Sequence, residues 1–404
     1  MRWLLLITLV GILLGPSRQG FPTATTGRDV HAESDVSVVT TIPVGQAPRA
    51  LVVDSSTHRV YVANAGSNTV TVIDGVGRQA LATVPVGQAP CCIAVDPATH
   101  RVYVANTKGD TVSVLDGRAN RPVATVPTGV GPYALAADPS SHTVYLADHG
   151  DRATIDRLRG YDPRLRLLDG ASDRIVAAQP VVPESAGNGL TSVAGIAVDA
   201  PDHTVILAAR RIEASWITAL DSTTHQPVGT TALEAEQNLA IPTSIALDTS
   251  ARLLVVAKSP GLLRLLTLGS DHRFVPQGNA QRPCRDVCAL AVAVDAGTNT
   301  LYVVRRPADL QAPPPLVAPA LLVEDELGTL LATVPLGRSP SAIAVDPTTH
   351  AVYITDEASN TVTMFRGVGY SPPLPSTLPP MGGGGGVGVT VEGLAAPDSP
   401  CPAD

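Results

Sequence analysis

The stretch Thr83–Gly117 reads TVPVGQAPCCIAVDPATHRVYVANTKGDTVSVLDG, and it decides the fold of this 404-residue chain. Nearly the same text occurs at Thr41–Gly75 and at Thr333–Gly367. More divergent copies between them keep one feature, an Asp that ends an apolar run and precedes a Tyr or an aliphatic residue by seven positions. This repeat Asp occurs at Asp54, Asp96, Asp138, Asp199, Asp248, Asp295 and Asp346. The chain therefore contains seven copies of one unit.

Each unit contains four short apolar or alternating runs separated by turn residues, a pattern that predicts four β-strands. In the first unit we place the strands near Ala50–Val53, Arg59–Ala63, Thr69–Ile73 and Gln79–Val84. Four strands in each of seven repeats of about 40 residues predict an all-β, seven-bladed β-propeller over residues 36–367. An open solenoid is the alternative architecture.

The two ends of the repeat region favour the closed ring. The last unit stops after its third strand, Thr361–Phe365, whereas an unassigned strand, Val36–Ile42, precedes the first unit. If Val36–Ile42 completes the last blade, the ring closes and two exposed strand edges disappear. We therefore expect these two segments to pair.

The repeat also resembles the YVTN-type β-propeller family, whose name-giving motif occurs here as YVAN at Tyr61–Asn64 and at Tyr103–Asn106. The resemblance covers about residues 36–367 and is most specific in blades one, two and seven. It implies an exported bacterial or archaeal protein. It implies little about chemistry, because propellers host many functions.

The chain ends differ from the repeats. Met1 and Arg2 precede an apolar run, Trp3–Leu14, and then small residues, which is the layout of a secretory signal peptide. The run is too short for a membrane-spanning helix. We assign residues 1–20 to a signal peptide without a defined cleavage site, 21–35 to a linker, and the Pro/Gly-rich residues 368–404 to a flexible tail. An uncleaved anchor is the alternative, and we expect an extracytoplasmic chain, secreted, periplasmic or on the cell surface.

Composition excludes several classes of function. The net charge is -8 and no basic stripe is present, which argues against a dedicated nucleic-acid binder. Neither a C-x-x-C pair nor a haem-attachment motif occurs, so we expect no cofactor. We expect a monomeric propeller without a membrane span in the mature chain.

The lengths of the connections distinguish the two faces of the ring. First-to-second and third-to-fourth turns keep a constant length in the repeats, and they share one face, here named the constant face. Second-to-third loops and blade-to-blade links share the opposite face, here named the variable face. The interval from Tyr61 to Asp74 is much shorter than that from Tyr145 to Asp169. Because loops on a rigid scaffold commonly bind ligands, the variable face is the predicted binding surface, although surface loops also tolerate length changes without a function.

A ring of residues lies ten positions after each repeat Asp, at the variable face: Asn64, Asn106, Asp148, Ala209, Lys258, Arg305 and Asp356. Blades seven, one, two and three carry acid or amide in this ring. Blades four to six carry the basic residues Arg210, Arg211, Lys258, Arg305 and Arg306. This division predicts a site for an anionic ligand or an acidic partner. Alternatively, Asn and Asp cap the loops while the arginines are solvated.

Two classes of function follow from this surface. The first is a non-catalytic exported propeller that binds an unidentified protein or cell-surface component through the variable face. The second is a metal-dependent, lactonase-like hydrolase in which Asn64, Asn106, Asp148 and Asp356 hold the metal at the channel mouth. We favour the first, because no set of residues satisfies the geometric roles of an active site.

Histidines and cysteines complete the candidates. In five blades a His lies four positions after the repeat Asp: His58, His100, His142, His203 and His350. In the other two blades the equivalent residue is Arg252 or Asn299. A position that accepts His or Asn predicts a left-handed turn rather than a metal site. In an exported protein, Cys284 and Cys288 are candidates for a small disulfide.

Overall fold

The structure is a computed structural model that describes residues 36–158, 162–181, 192–210, 215–233, 241–259, 262–276, 282–283, 287–307, 318–325, 328–371 and 392–393. Over these ranges it is all-β, with seven antiparallel sheets that correspond to the seven predicted units. The predicted signal peptide and linker lie outside the described residues.

Each blade runs from a first, innermost strand to a fourth, outermost strand. In blades one to three the strands are Pro48–Asp54, Arg59–Asn64, Thr69–Asp74 and Gln79–Pro85; Pro90–Asp96, Arg101–Asn106, Thr111–Asp116 and Arg121–Pro127; and Ala134–Asp138, Thr143–Asp148, Arg164–Asp169 and Arg174–Pro180. In blades four and five they are Ser192–Asp199, Thr204–Arg210, Ser215–Asp221 and Pro227–Leu233; and Ile241–Asp248, Leu253–Ser259, Leu262–Leu268 and Phe274–Pro276, with Arg282–Pro283 also on the third strand. In blades six and seven they are Val287–Asp295, Thr300–Pro307, Ala320–Asp325 and Leu330–Pro335; and Pro340–Asp346, Ala351–Asp356, Thr361–Arg366 and the N-terminal Ser37–Pro43.

The predicted ring closure is confirmed. Ser37–Pro43 pairs antiparallel with Thr361–Arg366, in a register that joins Thr41 to Thr363 and Pro43 to Thr361. Each first strand also approaches the first strands of the blades on either side, and this series closes from blade seven back to blade one. The ring is therefore joined both at its outer strand and around its axis.

The core lies between neighbouring blades rather than inside one sheet. Ala50 and Val52 of blade one pack in the same buried cluster as Ile93 and Val95 of blade two. Second and third strands are buried on both faces and read as nearly continuous apolar runs, whereas fourth strands are exposed over most of their length. Val and Ala supply thin apolar layers, which explains how a chain with 3% aromatic residues builds so large a core.

Two parts of the predicted tail are described. Residues 368–371 fold back on the propeller, where the Val368 amide donates to the Tyr302 hydroxyl at 2.9 Å and the Ser371 amide donates to the Thr349 carbonyl at 3.0 Å. Glu392–Gly393 forms a short strand on blade five.

No helix in the described ranges is both long enough and apolar enough to cross a membrane.

Candidate functional site

The turn histidines on the constant face have the predicted left-handed conformation. His58, His100 and His142 have φ values of 54°, 55° and 55°. Asn299 adopts the same conformation at φ 51°, which explains why His and Asn alternate at this position of the repeat. The predicted turn is confirmed.

Four of these histidines also join one blade to the next, a contact that the repeat text does not reveal. In each, Nδ1 lies close to Oδ2 of the repeat Asp in the preceding blade. The distances are 2.9 Å for His100–Asp54, 2.7 Å for His142–Asp96, 2.8 Å for His58–Asp346 and 2.7 Å for His350–Asp295. The four pairs run from blade six through blades seven, one and two to blade three. We call blades seven, one, two and three the regular arc.

Among the described residues, this joint is missing at the junctions between blades three and four, four and five, and five and six. His203 is exposed, and Arg252 instead bonds to Asp202 at 2.9 Å and to the Leu268 carbonyl at 3.0 Å. Oδ2 of Asp199 is buried without a hydrogen-bond partner in the described part of the chain, and burial raises the pKa of this carboxyl group. On the constant face, blade five is therefore joined to blade four by a different contact, Arg252 with Asp202.

Asn64 and Asn106 are structural residues of the blade-to-blade links. Nδ2 of Asn64 donates to Thr71 at 3.0 Å, and Nδ2 of Asn106 donates to Ser113 at 2.9 Å. Both side chains are fully buried. The link backbone crosses directly over each amide, so that a Cβ on Gly87 would lie 2.6 Å from Cγ of Asn106. The glycine of each PVG sequence therefore makes room for the ring residue.

Asp148 and Asp356 occupy the same place in blades three and seven. Asp148 accepts hydrogen bonds from the backbone amides of Gly129 at 3.0 Å and Gly150 at 2.8 Å. It also accepts a hydrogen bond from Nε of Arg166. Asp356 accepts hydrogen bonds from the backbone amides of Ser339 at 3.2 Å and Ser359 at 2.9 Å. Both carboxylates cap loops, as the alternative interpretation of the ring predicts.

Arg166 is a site residue that sequence reasoning missed. It lies on the third strand of blade three, where blade one has Thr71 and blade two has Ser113, and it is 8% exposed. Its NH2 group also donates to Asp151 at 2.8 Å. The signal in the sequence is a charged residue, Arg166, within the strand RLRLLD of the blade whose ring residue is Asp148 where blades one and two have Asn.

The four candidate metal ligands are each bonded within their own blade or to an adjoining link: Asn64, Asn106, Asp148 and Asp356. Over the described ranges, no group of three or more His, Cys, Asp or Glu side chains is placed to hold a metal ion. The contacts favour structural roles for all four residues.

The predicted basic residues differ in accessibility. Arg210, Arg305 and Arg306 are half-buried at the ends of second strands, where those strands reach the variable face. Nε of Arg210 donates to the Ser192 hydroxyl at 2.7 Å. Lys258 is only 2% exposed, so it is not a surface contact in this structure. Arg211 lies outside the described residues.

The inserted connections all join strand ends at the variable face. Residues 65–68 connect the second and third strands of blade one, whereas residues 149–163 and 308–319 do so in blades three and six. The blade-three loop contains the helix Arg152–Leu158, and Arg152 pairs with Asp110 of the neighbouring blade at 3.1 Å. This loop therefore contacts blade two.

The cysteines divide into two groups. Cys91 and Cys92 are reduced, and their Sγ atoms lie 2.9 Å apart on the first strand of blade two. Cys284 and the side chain of Cys288 lie outside the described part of the chain, so their disulfide stays a prediction.

Comparison with known proteins supports the fold alone. No family model and no curated protein is similar enough to this chain to match it. The Cps50 (Swd1) β-propeller domain of Myceliophteria thermophila is similar in structure, with a TM-score of 0.65 at 12% identity over 82% of this chain and 99% of that one. Hydrazine synthase of Kuenenia stuttgartiensis has a TM-score of 0.61 at 15% identity, over 83% of this chain and 97% of that one.

Proposed function

We propose that this protein is an exported, non-catalytic β-propeller of the YVTN type that binds an acidic protein or cell-surface component through its variable face. The observation that carries the proposal is the segregation of the two faces. Turns on the constant face are short and repeat from blade to blade, whereas the connections that have gained residues join strand ends at the variable face. Loops of this kind on a rigid scaffold are a common form of binding surface.

The chemistry of the proposed contact comes from three arginines. Arg210, Arg305 and Arg306 sit where the second strands of blades four and six reach the variable face, each partly accessible to solvent. A guanidinium group can bind a carboxylate or phosphate through two parallel hydrogen bonds, which gives orientation as well as charge. Acidic side chains or anionic surface polymers are therefore the ligands that suit this sector.

The rest of the ring provides the rigid support. In the regular arc, the His–Asp pairs join neighbouring blades on the constant face, and buried Asn or Asp residues hold the links on the variable face. The inserted connections start and end on these fixed strands. A partner can then be recognised without reorganisation of the core.

A charge-reversal experiment tests the proposal. The double variant Arg305→Glu/Arg306→Glu should bind immobilised poly-L-glutamate about tenfold more weakly and with a flatter salt dependence, because surface charges are screened by salt. The matched control is Arg118→Glu/Arg121→Glu, which reverses two exposed arginines on the constant face. If the control weakens binding and Arg305→Glu/Arg306→Glu does not, the proposed face is wrong.

In-cell cross-linking tests the natural partner. When the protein is expressed in its native host, a photo-reactive amino acid at position 306 should cross-link it to a defined partner. The same group at position 118 should not. Cross-links only from position 118 would contradict the proposal.

The metal-dependent, lactonase-like hydrolase is the alternative, and one observation favours it. Oδ1 of Asn64 and Oδ1 of Asn106 are buried and have no hydrogen-bond partner among the described residues. Amide oxygens are ligands for hard cations such as Ca²⁺. Elemental analysis of the purified protein distinguishes the two functions. A stoichiometric metal in the wild type that is lost in Asn64→Ala would support the hydrolase. A wild-type protein without such a metal would contradict the hydrolase and favour the binding proposal.

A further inference from the structure

The short strand Glu392–Gly393 lies on the axis of the propeller. It pairs antiparallel with the first strand of blade five, with Gly393 opposite Ser244 and Glu392 opposite Ile245. Its Cα atoms also come within 8 Å of Cα atoms in the first strands of all seven blades. Only a position in the central channel satisfies all seven approaches together.

The channel wall offers a chemical reason for this placement. Each first strand pairs with its second strand on one side and presents its other backbone edge to the axis. An unpaired edge carries N–H and C=O groups that an added strand can satisfy. Strand addition of this kind is an established mode of peptide recognition, in which backbone hydrogen bonds provide affinity.

The sequence around this strand has the composition of a strand. Val389-Thr390-Val391 supplies three β-branched residues directly before Glu392–Gly393. The third strand of blade one has a related order, VTV at 70–72, before Asp74 and Gly75. The tail therefore contains a segment suited to an edge, although its overall composition is typical of a linker.

The tether is long enough to reach the axis. Ser371 is held against the Thr349 carbonyl of blade seven, and residues 372–391 connect it to Glu392. Fully extended, such a segment spans up to about 70 Å, whereas a four-stranded blade is only about 15 Å wide.

We propose that the central channel is a binding site for an extended polypeptide strand, and that the strand Glu392–Gly393 of this chain is its resident occupant. The strand adds to the inner edge of blade five through backbone hydrogen bonds. This site is separate from the arginines of the variable face, and it does not depend on the function proposed for them.

The first test measures hydrogen exchange in the full chain. The substitution Gly393→Pro, opposite Ser244, removes a backbone donor and restricts the chain. Exchange of the amides in residues 241–248 should then become about tenfold faster, because local opening exposes that edge. Ser376→Pro, in the Pro-rich part of the tail, is the matched control and should leave exchange unchanged. Unchanged exchange in the third strand of blade one, Thr69–Asp74, would show that the ring itself is intact.

The second test asks whether the segment stays bound when it is cut free. A site-specific protease sequence replaces Gly382–Gly386 in the full chain, and the folded protein is then cleaved. The released fragment should co-elute with the propeller in gel filtration and should be displaced by excess synthetic peptide 387–396. A fragment that elutes alone, or exchange at 241–248 that is equal in Gly393→Pro and wild type, would overturn the proposal. Displacement by an unrelated extended peptide of equal length, but not by peptide 387–396, would also overturn it.

Discussion

Nδ1 of His100 lies 2.9 Å from Oδ2 of Asp54, so a turn residue of blade two bonds to the buried repeat Asp of blade one. The left-handed turn makes this contact, because it directs the imidazole away from its own blade and toward the preceding one. The same geometry at His58 and Asp346 connects blade one to blade seven and spans the junction where the ring closes. A turn that repeats in sequence is thus also a joint between blades.

The joint between His58 and Asp346 should make stability depend on pH. The bond to Asp346 raises the pKa of His58 above 6.5, so its contribution is complete below about pH 6.5 and is lost as the pH rises through the folded pKa. Burial alone would raise the pKa of Asp346, but hydrogen bonds from His58 and Thr348 outweigh it and lower that pKa. The Asp346 contribution is therefore present above about pH 4 and is lost in stronger acid. Replacing His58 with Asn should lower the melting temperature more near pH 5.5 than near pH 9. At the lower pH it should cost roughly 1–2 kcal/mol in free energy of unfolding.

His203 provides the matched control for this experiment. It has the same left-handed turn, at φ 49°, but its side chain is exposed. His203→Asn should therefore shift the melting temperature little and equally at both pH values. A His58→Asn variant whose pH profile parallels that of wild type would contradict the proposed joint.

The closing strand should determine the stability of the whole ring. Deletion of residues 36–43 removes the outermost strand of blade seven and exposes the edge of Thr361–Arg366. We expect a melting temperature lower by several degrees and faster aggregation in light scattering. Deletion of residues 21–35 is the control and should change neither measurement, whereas equal melting curves for the two deletions would contradict closure by this strand.

Much of the fold follows from the sequence, for a physical reason. The number of blades follows from spacing, because the constant interval that separates Asp54 from Tyr61 marks one hairpin in each unit. Ring closure follows because the unassigned N-terminal strand can pair with the free edge of the last unit. Both features are local or pairwise in sequence, so they survive divergence of the side chains. The strand Glu392–Gly393 was not predicted, because the surrounding Pro and Gly residues dominate the composition of that segment.

The candidate site was less predictable, because its chemistry depends on burial. Spacing places Lys258 and Asn64 correctly in one ring, but it does not show that both are buried. Nor does it show that Asn64 uses its amide to hold Thr71. The charge pattern is informative only for the residues that reach solvent, which here are Arg210, Arg305 and Arg306.

The adjacent cysteines should differ in reactivity. A hydrogen bond to Cys92 lowers the pKa of the Cys91 thiol, burial opposes this, and the charge of Arg49 adds to the lowering. Cys91 is half-buried, whereas Cys92 is only 2% exposed. Limiting iodoacetamide should therefore modify Cys91 first, as read by peptide mass spectrometry across a pH series.

The variant Cys92→Ala tests the cause of this reactivity. Loss of the hydrogen bond should shift the alkylation profile of Cys91 to higher pH. An unchanged profile would mean that Cys92 does not tune its neighbour.

The buried pair Asp148–Arg166 can be tested by converting it into the equivalent pair of blade one, Asn64 and Thr71. Arg166→Thr alone leaves a buried carboxylate without its positive partner and should cost about 3–5 kcal/mol. Adding Asp148→Asn recreates the Asn64–Thr71 pair of blade one, in which the amide donates to the hydroxyl at 3.0 Å. The double variant should therefore be more stable than Arg166→Thr in thermal and urea unfolding, although it loses the contact to Asp151. If the double variant is as unstable as the single one, then the ring position of blade three depends on its own loop, and blades one and three are not interchangeable there.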